Sequence, residues 1–263
     1  MSPAPLIPEQ RQQKITSALQ QSGALSIRDL SQQLKVSHMT IRRDIAALEE
    51  SGQVVSIKGG VKLAEGISTP VPLDRASRLA LELPRKNAIA QAAAEKVHDG
   101  MTIFIDAGTT LQALVPFLEA RQGLTVMTND LFVATTLFNY PHIHTVQTGG
   151  TVDPEIGACQ GHLAARSVEV FNFDLAFISS SGWSLNRGIT APAEEKRVVK
   201  RKVMEVSTTS ILLADTTKYG VISMVSICPL SEIDGIITDW GLEEQTIKRI
   251  RDLGVDLTIA QQL

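Results

Sequence analysis

Cysteine and aromatic residues are scarce in this 263-residue chain, which has two cysteines and 4% aromatic residues. The cysteines do not stand at a metal-ligand spacing, so neither a metal site nor a disulfide-rich scaffold is expected, while a single disulfide stays open. No apolar run approaches the roughly 20 residues of a membrane span. Residues 1–5 also lack the basic and apolar regions of a secretory signal. These absences predict a cytoplasmic protein with no membrane partner, no metal and no cofactor.

The chain also has little net charge, −3 at pH 7. A negative total argues weakly against nucleic-acid binding. The first 65 residues, however, contain eight basic and six acidic residues, whereas the remainder contains 17 basic and 22 acidic ones. Because this asymmetry is modest, the placement of the charges matters more than their sum.

The first 64 residues have the pattern of a winged helix-turn-helix. Helical spacing of apolar residues begins near Glu9, ends at Ser22 and recurs in two further segments. Alternation of apolar and polar residues around Gly59 and Gly60 then predicts a β-hairpin. We expect a DNA-binding domain at 9–64, with helices near 9–22, 26–34 and 37–50, the helix-turn-helix at about 26–45, and the hairpin at 55–63.

The third predicted helix has one apolar and one basic face. With Ile41 pointing inward, a rotation of about 100° per residue places Ile45 and Leu48 beside it. Arg42 and Arg43 then fall on the far side, where their guanidinium groups suit guanine edges or phosphates of a major groove. The predicted DNA contacts are Ser37, Met39, Thr40, Arg42, Arg43 and, at the hairpin tip, Lys58.

An alternative interpretation of the basic face is solvent exposure alone. Arg42 and Arg43 would then form a hydrated surface, with Asp44 and Glu49 as their partners. For an isolated Arg-Arg pair we would favour that interpretation. The complete context of a short helix, a tight turn, a second helix and a basic hairpin favours DNA binding instead.

Residues 65–84 contain three prolines and scattered polar residues, which predict a linker with a short helix near Leu79. Beyond the linker, at 85–263, helical and extended patterns alternate, as in a mostly parallel sheet with helices on both faces. The predicted strands are 102–105, 125–127, 143–146, 175–178, 211–214 and 233–238. The predicted helices are 86–97, 111–119, 130–138, 192–206 and 243–253.

Four loops after predicted strands contain residues suited to an anion. The turn Asp106–Thr110 has a glycine and two threonines before a helix N-terminus, where backbone N–H groups favour negative charge. The other loops contain Thr128–Asn129, Gly149–Gly150 and Lys218. Each alone fits an ordinary turn, cap or solvated loop. Because loops at the carboxyl ends of parallel strands converge on one crevice, the four together predict a ligand site.

The run Val36-Ser37-His38-Met39-Thr40-Ile41-Arg42-Arg43-Asp44 resembles the DeoR family of bacterial repressors, as do Asp106–Thr110, Thr128–Asn129, Gly149–Gly150 and Asp215–Lys218. The resemblance covers nearly the whole chain. It implies a small α+β winged helix-turn-helix domain followed by a larger α/β domain, used for effector sensing and oligomerisation, that resembles ribose-5-phosphate isomerase.

The same resemblance implies a function. A homo-oligomer, dimer or tetramer, would bind a double-stranded DNA operator, repress a carbohydrate-metabolism operon and respond to a phosphorylated sugar or related metabolite. Glu195-Lys196 also resembles a Glu-Lys pair of the isomerase. The effector-binding residues implied are Asp106, Gly108, Thr109, Thr110, Thr128, Asn129, Gly149, Gly150, Glu195 and Lys218.

Two rival hypotheses stay open. The larger domain would be a sugar-phosphate isomerase if it kept a positioned carboxylate base, but Ser179–Ser184, which stands where the isomerase has an acidic loop, contains no carboxylate. The alternative to a sugar contact at Glu195 is that residues 194–202 form simply a charged helix face. Alternatively the chain is a DNA-bound structural protein without a ligand, against which the predicted pocket argues. We therefore predict a ligand-controlled switch and not an enzyme.

Overall fold

A computed structural model of the protein describes residues 7–22, 24–50, 53–57, 59–63 and 75–262. The chain forms two compact units, Met1–Pro72 and Leu73–Leu263. Within the described ranges, no helix is both long enough and apolar enough to cross a bilayer.

The smaller unit is a three-helix cluster with a three-stranded antiparallel sheet in the order β1-β3-β2. Its elements are α1 (Pro8–Ser22), β1 (Ala24–Leu25), α2 (Ile27–Leu34), α3 (His38–Glu50), β2 (Val54–Ile57) and β3 (Gly60–Leu63). The apolar stripes of the helices meet in one core, as their spacing predicts. The buried members are Ile15, Leu19, Leu30, Ile41, Ile45, Leu48, Val54 and Val61.

Local interactions fix the turn that joins α2 to α3. The Ser26 hydroxyl accepts a hydrogen bond from the backbone N–H of Asp29 (3.1 Å) and so caps α2. Lys35 ends α2 in the left-handed conformation, with φ of 53°. In β3, Gly60 lies against the backbone of Leu25, where a Cβ would come within 2.4 Å of the carbonyl oxygen. Only glycine therefore allows β1 to pair with β3 at this position.

The larger unit is built around a seven-stranded parallel sheet in the order β15-β14-β12-β9-β4-β5-β6. Its first half comprises α4 (Arg75–Ala80), α5 (Leu83–Ala94), β4 (Thr102–Ile105), α6 (Thr109–Gln112), β5 (Thr125–Thr128), α7 (Leu131–Leu137), β6 (His144–Gln147), β7 (Thr151–Asp153), β8 (Ala158–Gln160) and α8 (Gly161–Glu169). Its second half comprises β9 (Leu175–Ile178), β10 (Gly182–Ser184), β11 (Gly188–Ala191), α9 (Glu194–Glu205), β12 (Ser210–Leu213), β13 (Val225–Cys228), β14 (Gly235–Thr238), α10 (Glu244–Arg251) and β15 (Asp256–Ile259).

Apolar side chains of the central strands alternate between the two faces of this sheet. Ile103 and Ile105 pack with Ile89 of α5 in one buried cluster. Phe104 packs with Val199 of α9 in the other. Helix α5 thus covers one face and α9 the opposite face. The predicted fold class, a small helix-turn-helix domain followed by a mostly parallel α/β domain, is confirmed.

The order of strands along the chain reverses beside β4. From β4 the chain adds β5 and β6 on one side, then returns to the other side of β4 with β9 and continues outward. Ligands of open parallel sheets bind at the carboxyl ends of strands where such a reversal occurs. The loops after β4 and β9 therefore flank the expected crevice.

The described part of the predicted linker belongs to the larger unit. Residues 75–80 form α4, which confirms the short helix expected near Leu79, and α5 begins at Leu83 instead of 86. Residues 64–74 lie outside the described residues.

The remaining elements match the predictions unevenly. The helix predicted at 111–119 is divided into α6 and a 3₁₀ turn, Val115–Leu118, because Pro116 has no N–H to continue a helical ladder. Helix α8 and the strands β7, β8, β10, β11, β13 and β15 are not predicted by the sequence patterns. Most of them are three or four residues long and are defined by their pairing partners, which periodicity does not show.

Candidate DNA-binding surface and effector site

Helix α3 has the two-faced character that its sequence predicts. Ile41, Ile45 and Leu48 are buried. Arg42 and Arg43 are exposed, and the Met39 side chain is 71% exposed at the start of the helix. The exposed face therefore presents two guanidinium groups and a flexible thioether to solvent.

The N-terminal end of α3 is capped by Ser37. The Ser37 hydroxyl accepts a hydrogen bond from the backbone N–H of Thr40 (3.1 Å), and the two hydroxyl oxygens lie 2.9 Å apart. This is the geometry of a helix N-cap, which fixes the first turn of the helix. Lys58, predicted at the hairpin tip, lies outside the described residues.

The acidic residues that would neutralise the basic face are engaged elsewhere. The buried carboxylate of Asp44 binds the Arg11 guanidinium through two contacts of 2.6 and 2.9 Å. A Glu49 carboxylate oxygen accepts the backbone N–H of Ser56 at 2.6 Å. The Ser56 side chain first, and this backbone hydrogen bond second, lower the pKa of Glu49. In the part of the chain that the structure describes, neither Arg42 nor Arg43 has an ion-pair partner. The alternative interpretation, a hydrated surface in which Asp44 and Glu49 pair with the two arginines, therefore loses these partners.

In the larger unit, a buried ionic cluster marks the strand-order reversal. Asp106, after β4, is 2% exposed, and its Oδ2 accepts hydrogen bonds from the Ser179 backbone N–H (2.9 Å) and hydroxyl (2.8 Å). The Lys200 ammonium donates to the same oxygen and to the Ser179 carbonyl at 2.9 Å. These contacts join the loops after β4 and β9 to helix α9, so Asp106 is compensated and fixed in place.

Lys200 is a member of the candidate site that the sequence patterns do not predict, because within residues 194–202 they point only to Glu195 and Lys196. A signal was present, since Lys200 stands between Val199 and Val203 in the apolar stripe of α9. A lysine inside an apolar stripe is rarely fully buried without a partner. The partner, Asp106, is 94 residues away in sequence.

Asp130 fixes the turn after β4 from the neighbouring strand. Its Oδ2 accepts the backbone N–H of Gly108 at 3.0 Å and lies 2.9 Å from the Arg75 guanidinium. Its Oδ1 caps α7 by accepting the N–H groups of Phe132 and Val133. Burial raises the pKa of Asp130, an effect that Arg75 opposes. One backbone N–H group before helix α6, which could otherwise bind an anionic ligand, is therefore already bound to a carboxylate of the protein itself.

Four buried side-chain oxygens along the same edge have no hydrogen-bond partner among the described residues. They follow β9, β4, β5 and β6, which are adjacent in the sheet. Every one of these side chains is more than nine-tenths buried. Buried polar groups normally have a partner, so such a cluster at one edge points to a ligand with several donors. The atoms are Thr110 Oγ1, Asn129 Oδ1, Thr148 Oγ1 and Ser180 Oγ.

Cationic side chains surround this edge. Lys86 is buried in α5 and donates to the Arg78 carbonyl; its pKa is lowered to about 8, first by burial and then by the charge of Lys218. The Lys196 ammonium in α9 lies 3.9 Å from the Asp153 carboxylate, and burial lowers its pKa too. A poorly hydrated ammonium group gains from a nearby anion, which favours an anionic ligand here.

The other predicted effector residues occupy different environments. Gly149 is exposed, whereas Gly150, with φ of +117°, lies so close to α8 that a Cβ would contact Ala164 at 2.9 Å. Thr109 and Thr128 are buried, and the Thr128 hydroxyl accepts the N–H of Asp130. Glu195 is exposed in the first turn of α9, while Lys218 is partly exposed with its Nζ 3.9 Å from Asp215. Contact of these residues with an effector stays a prediction.

Two open cavities lie away from this edge. A groove of about 370 Å³ between α8 and α9 is lined by charged side chains such as Arg166 and Arg201. A cavity of about 230 Å³ at the amino ends of the strands is lined in part by Asp174 and Asp234. Neither contains a predicted effector residue.

Comparison with known proteins identifies the class to which both units belong. A family model described as DeoR-like helix-turn-helix domain matches residues 11–66, and one described as DeoR C terminal sensor domain matches residues 82–240. The chain therefore belongs to the DeoR family and is a DNA-binding transcriptional regulator.

Relatives match along almost their whole length. The uncharacterized HTH-type transcriptional regulator YgbI of Escherichia coli (strain K12) is 40% identical over 256 residues, covering 97% of this chain and 99% of its own. The HTH-type transcriptional repressor GlcR of Bacillus subtilis (strain 168) is 32% identical over 255 residues, covering 97% of each chain. Because full-length relatives are named as regulators, the chain is a regulator and not an enzyme, and the isomerase hypothesis is rejected.

Ribose 5-phosphate isomerase A from Methanocaldococcus jannaschii is similar to part of the structure, with a TM-score of 0.39 and 15% identity. The match covers 52% of this chain and 54% of that chain. At this level, the likeness says nothing about activity.

Proposed function

We propose that the protein is a repressor of a carbohydrate-metabolism operon and that a phosphorylated sugar bound at the carboxyl edge of the parallel sheet controls it. The observation that carries this proposal is the set of four buried, unpaired oxygens beside the cationic side chains at that edge. Sugar hydroxyls donate to such oxygens, and a phosphate group pairs with ammonium groups. The relative GlcR is named as a repressor, which supports the sign of the regulation.

On the DNA side, the proposed contacts are made by α3. Arg42 and Arg43 reach base edges or phosphates of the major groove, while Ser37, Met39 and Thr40 lie at the end of the helix that enters it. A homo-oligomer with two-fold symmetry places two such helices on a symmetric operator. The protein would act in the cytoplasm, the compartment that holds the DNA.

Control of operator binding follows from thermodynamic linkage. A ligand that binds one arrangement of the larger unit more tightly shifts the population toward it, and the affinity for DNA changes with that population. We propose relief of repression as the direction. A coupling of about 1–3 kcal/mol corresponds to a change in operator affinity of roughly 5–150-fold.

A thermal-shift panel of pentose and hexose phosphates, with the unphosphorylated sugars as matched controls, tests the proposal. A ligand at about 100 times its Kd stabilises the folded state by about 2.7 kcal/mol. The proposal expects one phosphorylated sugar to raise the Tm and its unphosphorylated counterpart to do much less. Silence across the panel, with operator binding intact, would instead favour a ligand-free structural role on DNA.

A further inference from the structure

The seven-stranded sheet of the larger unit ends in two edge strands, β15 on one side and β6 on the other. An edge strand presents backbone N–H and C=O groups to which a strand of another chain can bind. Proteins commonly prevent such pairing by placing charged side chains at the edge. The two edges of this sheet differ in that respect.

The β15 edge is flanked by charged side chains. Asp256, the first residue of β15, forms an ion pair with Lys96 at 3.2 Å. Helix α10, which leads into β15, exposes Lys248, Arg249 and Arg251. This edge therefore has the charges that oppose pairing with another strand.

The β6 edge has no such charges. Residues 131–152, which include α7 and β6, contain no aspartate, glutamate, lysine or arginine, although these four types make up 20% of the chain. Among the described residues, β6 pairs with β5 alone. This edge is thus both uncharged and without a second strand partner.

The backbone hydrogen bonds show which groups of β6 point away from β5. The N–H groups of His144 and Thr148 donate to the carbonyls of Leu124 and Thr128, at 2.9 and 3.0 Å. A parallel strand bonds to one neighbour through every second residue. The N–H and C=O of Thr145 therefore point to the outer side of the sheet, where a further strand would lie.

Helix α7 adds exposed apolar side chains on the same side. It packs over β5 and β6, and the hydrogen bond from Gln112 to its Thr136 (3.4 Å) marks the side that faces α6, toward the middle of the sheet. At about 100° per residue, Leu131 and Phe138 fall on the opposite side of the helix. Phe138 is 75% exposed and Leu131 37%. Both therefore lie on the side of α7 that faces beyond β6.

We propose that a second copy of the chain binds at this edge, with the two β6 strands antiparallel about a two-fold axis and Phe138 of each copy packed against α7 of the other. A two-fold axis makes a strand edge complementary to itself, because the outward N–H of each copy meets an outward C=O of its partner. An uncharged surface also suits an uncharged partner, which a second copy supplies. This inference rests on the homo-oligomer of the proposed function and names its contact surface.

The test is sedimentation velocity of the full-length protein over a dilution series, with Thr145→Pro, Phe138→Lys and the control Leu253→Lys. Proline removes only the outward N–H of β6, a position at which edge strands tolerate it. Lysine places a charge on the contact surface at the C-terminal end of α7, where a cation is compatible with the helix. Leu253, 45% exposed beside the β15 edge, receives the same charge outside the surface. Circular dichroism establishes that each variant folds.

We expect the wild type and Leu253→Lys to associate equally. Thr145→Pro and Phe138→Lys should each raise the Kd of association by about 10–100-fold, as for residues at the centre of an interface. If the wild type is a tetramer, the two variants should reduce it to dimers. In the unmodified protein, dilution below the Kd should speed amide hydrogen exchange within residues 144–147, a readout that does not depend on the folding of any variant.

Three results would overturn the inference: association unchanged in both variants, exchange at 144–147 independent of concentration, or a wild type that stays monomeric at all concentrations. The first two leave the homo-oligomer intact and place its contact on another surface. The third rejects the homo-oligomer as well. Effector control stands apart from all three, because it is measured as the change in operator affinity caused by a sugar phosphate.

Discussion

The two units of this regulator place their candidate functional side chains in opposite environments. In the smaller unit, Arg42 and Arg43 project into solvent from a helix whose apolar residues are buried. In the larger unit, Asp106, Thr110 and Lys200 are themselves buried. A large partner such as a DNA duplex is met by an exposed surface, whereas a small ligand is enclosed by polar groups that the protein must desolvate in advance.

The comparison also explains a difference in the cost of substitution. Removing an exposed arginine leaves no buried group without a partner, so the fold should be little affected. Removing one member of the buried pair Asp106–Lys200 leaves an uncompensated charge in a dry environment. The predictions below test this contrast from the largest expected effect to the smallest.

Replacing Lys200 by methionine should lower the free energy of unfolding of the larger unit by about 3–5 kcal/mol, because Asp106 would stay buried without its partner. Urea denaturation gives the free energy of unfolding, and differential scanning calorimetry separates the unfolding transition of this unit from that of the smaller one. Lys248→Met, on the exposed face of α10, is the control and should change stability by less than about 0.5 kcal/mol. Similar stabilities for the two variants would show that the buried pair has no special role.

Replacing Arg42 or Arg43 by alanine should weaken operator binding by about 1–3 kcal/mol and leave the melting temperature unchanged. Fluorescence anisotropy over a range of salt concentrations measures both the affinity and its salt dependence. A substitution that removes a phosphate contact should also reduce the salt slope by about 1. Arg251→Ala serves as the control for loss of charge, and wild-type affinity in both arginine variants would remove α3 from the interface.

Replacing Lys218 by alanine should spare operator binding and weaken the response to the effector by about tenfold, because the proposed contact with the ligand is removed. Operator titrations with and without the effector separate the two quantities. The contrast between the units would break down if this substitution weakened DNA binding without ligand as much as Arg42→Ala does.

Lys86 should make the proposed anion site sensitive to pH. Its pKa in the folded protein is lowered to about 8 by burial and by Lys218 and Arg78, with Asp215 and Glu82 acting in the opposite direction. Between this pKa and the ordinary value of 10.5, Lys86 binds more protons in the unfolded chain than in the folded one. The contribution of Lys86 to the free energy of unfolding therefore rises with pH in this range.

The affinity for an anion should change with pH in the opposite direction, falling as Lys86 loses its proton. Loss of the ammonium charge weakens binding, so sulfate should bind a few-fold less tightly at about pH 9 than at about pH 7. Sulfate is the suitable probe because, unlike phosphate, it does not titrate in this range. In Lys86→Met the pH dependence should vanish, and a dependence that persisted would assign it to another group.

The sequence predicted the exposed site more completely than the enclosed one. Helix α3 is a continuous local pattern, so the inward and outward sides of Ile41 and Arg42 follow from periodicity alone. The loops at Asp106 and Asn129 were also found, because a parallel sheet brings strand ends together whatever their separation in the chain.

The missed parts depend on contacts between distant residues. Nothing in the local sequence shows that Lys200 binds Asp106 or that Asp130 binds Arg75. Nor does it show that Asp44 of α3 binds Arg11 of α1 instead of the neighbouring arginines. The role of α4 was also hidden, because prolines nearby made its region resemble a linker. Pairings of this kind become visible only once the sheet and its covering helices are assembled.

The most direct test of the account is operator affinity measured with and without the sugar phosphate that raises the Tm most. The account predicts that this ligand changes the affinity at least about fivefold in the wild type, as expected for coupled sites. A ligand that binds tightly and stabilises the larger unit, yet leaves operator affinity the same, would contradict the account.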